Sequence, residues 1–126
     1  FMYGLCDVDS PELKASIQAM RERFNLRDDE PGLPRYEDDD YRRSDASITG
    51  NWWYITTLWH AQYQLDNDNE KEAVAILDWV LRHAYSTGML GEQVNPVGDA
   101  IVSPAPLTWS HAEYLSTMLD MIGRTK

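Results

Sequence analysis

The chain has 126 residues, 43% of them hydrophobic and 11% aromatic, and a formal net charge of −10 at pH 7. This composition predicts one modest globular domain and excludes a disordered segment. The acidic balance disfavours nucleic acid and membrane surfaces as partners, because both attract basic patches. We expect no signal peptide and no transmembrane segment. The single cysteine, Cys6, excludes an internal disulfide and slightly favours a reducing, cytoplasmic setting.

Hydrophobic periodicity and capping residues predict four helices. The first follows Ser10 and ends near Asn25, the second runs from about Trp52 to Leu65, the third follows the turn at 66–69, and the fourth runs from about Thr108–Ser110 to Gly123.

Local signals support these helices. Ser10 is a favoured N-cap and precedes Pro11, a favoured first residue. Two further pairs have the spacing of a capping box: Asn69 with Glu72, and Ser110 with Glu113. The second helix is apolar nearly all round, whereas the third has one apolar face. We therefore expect an inner and an outer helical layer.

The connections alternate in length. About four residues join the second and third helices, whereas 26–50 and 86–107 are long connections without a predicted element. Long loops in a compact domain are usually functional or disordered, and these carry too much apolar material for disorder. The alternation predicts an all-α fold of antiparallel helix hairpins whose long loops gather at one end.

Several patterns that could hold a metal are incomplete. The segment DNDNE at 66–70 begins like a calcium loop, but Lys71 stands where that loop needs glycine and Leu77 where it needs glutamate. The histidines lie on different predicted helices without the spacing of zinc ligands: His60, His83 and His111. We expect neither a metal nor a cofactor.

Two loop segments are candidates for binding or catalysis. In YEDDDYRR at 36–43, Tyr36 and Tyr41 flank carboxylates, a combination that can stack on a sugar and accept its hydroxyl hydrogens. In GMLGEQVNP at 88–96, glycines and a proline brace Glu92 and Gln93, which suits a carboxylate held at one position. For both segments the alternative is an ordinary solvated loop.

Five segments, in chain order, closely resemble the C-terminal part of glycoside hydrolase family 15, the glucoamylase, glucodextranase and trehalase-like enzymes. They are LPRYEDDDY (33–41), GNWWYITTLWHAQYQL (50–65), LDWVLRHA (77–84), GMLGEQVNP (88–96) and PLTWSHAEYLST (106–117). The resemblance extends over about residues 1–123. It implies an (α/α)6 toroid of helix hairpins with its active site where the long loops converge, and hydrolysis with inversion by two carboxyl groups.

The resemblance also implies roles for individual residues. Glu92 matches the general base, which must hold a water on the far face of the sugar, about 6.5–9.5 Å from the general acid. Arg35 matches the arginine that binds hydroxyls of the terminal glucose. Substrate-binding positions are implied for Asp39, Tyr41, Trp53 and Gln93, and support of the base rather than sugar contact for Trp109 and Ser110. Trp52 replaces the family's proline, and RRSDASIT at 42–49 looks like extra length, so the outer substrate positions stay open.

No segment matches the general acid, which lies upstream in the family. We therefore expect residues 1–126 to be a C-terminal segment of such a catalytic domain, inactive as a hydrolase by itself. The expected partners are an α-glucan or glucose disaccharide and the N-terminal part of the same enzyme, with self-association of the isolated segment. The linkage cleaved (α-1,4, α-1,6 or that of trehalose) stays open. Two other functions also stay open: a non-catalytic sugar-binding module and a helical module that binds protein.

Overall fold

The computed structural model describes residues 1–2, 4–98, 100 and 102–124. The described residues form four helices and two short strands: α1 (Pro11–Arg23), β1 (Trp52–Trp53), α2 (Tyr54–Asp66), α3 (Glu70–Arg82), β2 (Gln93–Val94) and α4 (Thr108–Arg124). The predicted all-α class is confirmed, with the strand pair as a small addition. Closure of the helices into a toroid stays a prediction.

The first helix begins as the sequence predicts. The Ser10 hydroxyl accepts a hydrogen bond from the Leu13 N–H at 3.3 Å, and Pro11 occupies the first turn, where its missing N–H is not needed. The helix ends at Arg23, slightly earlier than predicted. Asn25 then takes a positive φ of 48°, which ends helical propagation.

Both predicted capping boxes are wrong. Asn69 does precede α3, but its side-chain nitrogen donates to Gln64 and Glu72, each at 3.0 Å, instead of capping the helix. Ser110 lies inside α4, and its hydroxyl donates to the Gly91 carbonyl at 2.7 Å. The side chain of Ser110 thus bonds outside α4, whereas that of Asn69 bonds to Gln64 and to the Glu72 carboxylate in the first turn of α3.

The second helix begins later than predicted because β1 precedes it. Trp52 and Trp53 pair antiparallel with Val94 and Gln93, and the Trp53 N–H donates to the Leu33 carbonyl at 2.8 Å. The apolar pattern of these tryptophans is compatible with a helix, but their backbone groups bond to neighbouring segments instead.

The core lies around α2, which is buried on most sides as predicted. It packs against α3 and α4, and a cluster of buried apolar residues comprises Tyr54, Leu58, Leu77, Trp79, Val80, Leu90 and Val94. By contrast, α1 contributes no fully buried residue, and α4 exposes a stripe formed by Leu115, Leu119 and Ile122. α2 is thus buried on most sides and α3 on one face, whereas the arrangement in an inner and an outer layer stays a prediction.

The long loops meet at one end of the helices, as predicted. The short turn at 67–69 makes α2 and α3 antiparallel, so the start of α2 lies beside the end of α3. At this end the Tyr54 hydroxyl donates to the His83 carbonyl at 2.6 Å. At the opposite end Arg124 of α4 forms an ion pair with Asp66 of α2. No helix in the described part of the chain is long and apolar enough to span a membrane.

Candidate active site

Three segments that are far apart in the sequence lie side by side at the loop end. Trp53 pairs with Gln93 on one side and forms an antiparallel bridge with Leu33 on the other. The Tyr54 N–H extends this contact by donating to the Glu92 carbonyl at 3.3 Å. Trp53 is therefore the middle of a small ladder. Arg35 lies next to one outer segment of this ladder, and Glu92 lies next to the other.

Arg35 is held by a bidentate ion pair. Its Nη2 and Nε donate to the two carboxylate oxygens of Asp39, each at 2.8 Å, and one of these oxygens also accepts the Tyr41 N–H at 3.1 Å. The hydrogen bond from Arg35 holds the pKa of Asp39 below its ordinary value, although burial opposes this shift. Asp39 is 0% exposed, so its carboxylate is placed to orient the guanidinium of Arg35.

The guanidinium of Arg35 lies among aromatic rings. Its central carbon is 4.1 Å from the ring centroid of Trp53 and 5.2 Å from those of Tyr36 and Tyr41. Within the described residues, its Nη1 group has no protein acceptor. Arg35 therefore presents a free pair of N–H donors beside exposed tyrosines.

Arg35 and Glu92 interact electrostatically. The hydrogen bond to Asp39 is the main cause of the raised pKa of Arg35, burial opposes it, and the charges of Asp39, Tyr36 and Glu92 add to it. The charge of Glu92 is the weakest of these influences on the pKa of Arg35, and the ion pair with Asp39 is the strongest.

The main chain of Glu92 is fixed on both sides. Its N–H donates to the Ser103 hydroxyl at 3.0 Å and to the Pro104 carbonyl at 3.2 Å, and its carbonyl accepts from Tyr54. Its half-buried carboxylate accepts the side-chain N–H of Gln93 at 3.3 Å. Gln93 itself is 0% exposed, so its amide lies behind Glu92 rather than at an open surface.

The start of α4 braces the same loop. Ser110 donates to the Gly91 carbonyl at 2.7 Å, and His111 Nε2 accepts the Leu90 N–H at 3.1 Å. Ser110 therefore contacts the residue immediately before Glu92. The buried Asn51 also braces the loop, because its side-chain nitrogen donates to the side-chain oxygen of Gln93 at 2.7 Å. No pattern in the sequence predicts the roles of Asn51, Ser103 and His111, because single polar residues in aperiodic segments carry no spacing signal.

A cleft of about 270 Å³ lies beside Arg35 and is lined by Arg35, Trp53, Ile55, Thr56, Trp59 and Trp109. The Trp109 ring is half-exposed and meets Trp59 edge-on, with 6.0 Å between ring centroids. Trp109 therefore lies in the wall of the cleft, whereas the resemblance implies that it supports the general base without contacting the sugar. The indole N–H groups of Trp53 and Trp59 are buried without a partner among the described residues.

The cleft continues along α2. A second cavity of about 260 Å³ lies between α1 and α2 and shares Arg35, Thr56 and Trp59 with it. The additional wall is mostly apolar and includes Met20 and Phe24 of α1. In the described part of the chain, no group of three or more histidine, cysteine or acidic residues could hold a metal ion.

The sequence is similar to a protein of Methanocaldococcus jannaschii that is named an uncharacterized glycosyl hydrolase. The two are 27% identical over an alignment of 128 residues, and the alignment covers 91% of this chain and 19% of the archaeal protein. The chain thus spans about a fifth of the length of this relative. No family model matches the chain, and no solved structure gives a significant match. The similarity supports a relation to glycosyl hydrolases but does not single out family 15.

Proposed function

We propose that this chain is the C-terminal part of the catalytic domain of an inverting glycoside hydrolase. The proposed enzyme cleaves α-glucosidic bonds from the non-reducing end of a glucan or disaccharide, with Glu92 as its general base. The observation that carries the proposal is the ladder of Leu33, Trp53 and Gln93, which brings the anchored Glu92 within electrostatic reach of Arg35. The similarity to a named glycosyl hydrolase supports it independently.

The cleft offers the contacts that a neutral sugar needs. The free Nη1 group of Arg35 can donate to sugar hydroxyls, because Asp39 already neutralises and orients the guanidinium. The tryptophans in the cleft wall can pack against the C–H faces of a pyranose ring. A glucan carries no charge, so the acidic balance of the chain does not repel it.

Glu92 supplies one half of the chemistry. Its carboxylate takes a proton from a water, whose oxygen forms a bond to the anomeric carbon while the bond to the leaving oxygen breaks. The leaving oxygen must receive a proton from a second carboxyl group. Asp39 is unsuited to this role, because it is buried, paired with Arg35 and held in its ionised form. The general acid, in this proposal, belongs to the N-terminal part of the enzyme.

A non-catalytic sugar-binding module is the second candidate. It is favoured by one observation: Arg35 and the tryptophans of the cleft lie together within this chain and need no residue from elsewhere. Glucose or a disaccharide would then quench tryptophan fluorescence in the isolated chain, and Glu92→Gln would leave the affinity unchanged.

The decisive experiment uses the full-length protein that contains this segment. Glucose release would be measured from maltose, isomaltose and trehalose, with the anomer of the first product assigned by proton NMR. We expect β-glucose first, and a loss of about 10²–10⁴-fold in kcat in Glu92→Gln. Glu70→Gln, an exposed glutamate on α3, is the matched control and should retain full activity. Retention of configuration, or activity that survives Glu92→Gln, would refute the assignment.

The isolated chain provides a second test. We expect no glucose release from it and self-association at micromolar concentration, because Leu115, Leu119 and Ile122 expose apolar surface on α4. Adding the N-terminal part should restore hydrolysis. Hydrolysis by the isolated chain would contradict its proposed status as an incomplete catalytic unit, and a clean monomer by light scattering would contradict the role of the α4 stripe.

A further inference from the structure

Two buried side-chain amides lie in series behind Glu92, and their orientations are determined by backbone groups. Asn51 is 1% exposed and Gln93 is 0% exposed. The oxygen and nitrogen of an amide are told apart by their partners. The Ser44 backbone N–H can only donate, and it lies 3.1 Å from Oδ1 of Asn51. This position of Asn51 must therefore be its oxygen.

The other end of Asn51 is consequently a donor. Its Nδ2 lies 2.7 Å from the Arg42 carbonyl, which can only accept, and 2.7 Å from Oε1 of Gln93. The Arg42 carbonyl thus requires nitrogen at this position independently of Ser44. Both Nδ2 hydrogens are used, and the atom of Gln93 that faces Asn51 must be its oxygen.

The orientation of Gln93 follows from that of Asn51. With its oxygen on Asn51, Gln93 directs Nε2 at Oε2 of Glu92, 3.3 Å away. All donors in this series point the same way, from the Ser44 N–H through Asn51 and Gln93 to the carboxylate, so the amides polarise one another. If the Gln93 amide were reversed, its oxygen would face the carboxylate oxygen and repel it.

We propose that Asn51 is a positioning residue for the general base. Acting through Gln93, it keeps an amide N–H on Oε2 of Glu92 and so holds the carboxylate in the orientation in which Oε1 can take the proton of the attacking water. The inference rests on the proposed role of Glu92. It also gives a structural role to residues 42–44, within the segment that looks like extra length: their main chain sets the direction of the whole series.

Ser44 provides a matched control. Its hydroxyl lies 2.7 Å from the amide oxygens of both Asn51 and Asn95, and its single hydrogen can be donated to only one of them at a time. Ser44→Ala removes this hydroxyl but keeps the backbone N–H that orients Asn51. Asn51→Ala removes the donor to Gln93 without adding charge, and Asn51→Asp replaces it by an acceptor of nearly the same shape.

The first arm of the test is spectroscopic and needs no activity. In the ¹⁵N-labelled 126-residue chain, the side-chain NH₂ resonances of Gln93 should shift when Glu92→Gln removes the carboxylate charge. The same Glu92→Gln change should have little effect on these resonances in an Asn51→Ala or Asn51→Asp background, and its full effect in a Ser44→Ala background. If the Gln93 resonances of the unmodified chain do not respond to Glu92→Gln, the inference is overturned even where an Asn51 variant fails to fold.

The second arm measures hydrolysis by the full-length enzyme. Asn51→Ala should lower kcat by about tenfold, the factor expected for one ordinary hydrogen bond, with KM little changed. Ser44→Ala should leave both constants near their original values. Unchanged kcat in Asn51→Ala, with Glu92→Gln still inactive, would overturn the inference and leave the proposed function standing. Hydrolysis that survives Glu92→Gln would overturn the proposed function and, with it, the role of Asn51, whatever the spectroscopic result.

Discussion

The ion pair between Arg35 and Asp39 should be a main source of stability at the loop end of the fold. Asp39→Asn keeps the shape of the side chain but replaces a charged acceptor by a neutral amide. The Asp39 carboxylate accepts two hydrogen bonds from Arg35, each at 2.8 Å, and a third from the Tyr41 N–H at 3.1 Å. In the variant, Arg35 loses its counter-charge, and one amide N–H group faces a guanidinium that can only donate.

The magnitude follows from how far the pair is buried. Removing one partner of a fully buried pair costs about 3–5 kcal/mol. The Asp39 side chain is 1% exposed, but that of Arg35 is 32% exposed and can regain part of its hydration. We therefore expect a loss of about 2–3 kcal/mol in the free energy of unfolding. For a chain of 126 residues this corresponds to a decrease of roughly 8–12 °C in Tm.

The effect should depend on pH with a defined sign. The hydrogen bond from Arg35 holds the pKa of Asp39 below its ordinary value of 3.8 in the folded chain, against the opposing effect of burial. The unfolded chain therefore binds this proton more tightly than the folded chain. The stabilisation is fully present above the ordinary pKa and is lost as the pH falls below it. The difference between the parent and Asp39→Asn should shrink below about pH 4.

Urea titrations followed by circular dichroism at pH 7 and pH 3.5 measure both effects. Asp40→Asn is the matched control, because it makes the same chemical change at an exposed neighbouring position. If Asp39→Asn and Asp40→Asn have the same midpoint at pH 7, the pair contributes no more than an ordinary surface ion pair, and the reasoning is refuted.

Three further changes test the packing, the buried tyrosine and the bracing of the base loop. In Gly32→Ala the new Cβ would overlap the ring of Trp52 and lie 2.8 Å from a ring atom of Trp79, so thermal melting should show a loss of about 1–3 kcal/mol. Gly123→Ala, with open space around the new Cβ, should be neutral or stabilising. Tyr54 is fully buried and donates to His83, so Tyr54→Phe should cost about 1–2 kcal/mol at pH 7. Burial raises the pKa of Tyr54 above its ordinary 10.0, so the folded parent holds this proton more tightly than the unfolded chain does. The parent therefore loses stability as the pH rises above 10.0. Urea titrations at pH 7 and pH 11 should show this loss in the parent and a smaller loss in Tyr54→Phe. Ser110→Ala should cost about 1–2 kcal/mol because it leaves the buried Gly91 carbonyl unpaired, and equal midpoints for Ser110→Ala and the exposed Ser116→Ala in urea would contradict this bracing.

The helices could be predicted because their signals are local. Apolar spacing along one helix, the Ser10 cap and the short turn before α3 act within a few residues, so the all-α class and the inner position of α2 follow from them. Most of the errors come from distant partners. Local spacing places Trp52 and Trp53 in a helix and Ser110 at a cap, but their actual partners are Val94, Gln93 and Gly91, which lie far away in the sequence.

The candidate site also has features that the sequence indicates and features that only the folded chain shows. The segments that carry Arg35 and Glu92 are recognisable from the sequence, since their residue types and order resemble those of a known hydrolase family. That both carboxylate oxygens of Asp39 are engaged by Arg35, and that Gln93 is closed off from solvent, is visible only in the folded chain. The same holds for the bonds from Ser103 and Asn51.

By itself, then, the sequence determined the helical class, the burial of α2 on most sides, and which two loops carry the candidate chemistry. The tertiary structure alone decided that these loops meet across Trp53, which side chains face the cleft, and which polar groups hold Glu92 from behind. The physical reason is that helix periodicity and capping depend on near neighbours. The hydrogen bonds between loops join distant residues at no regular spacing, so only the folded chain reveals them.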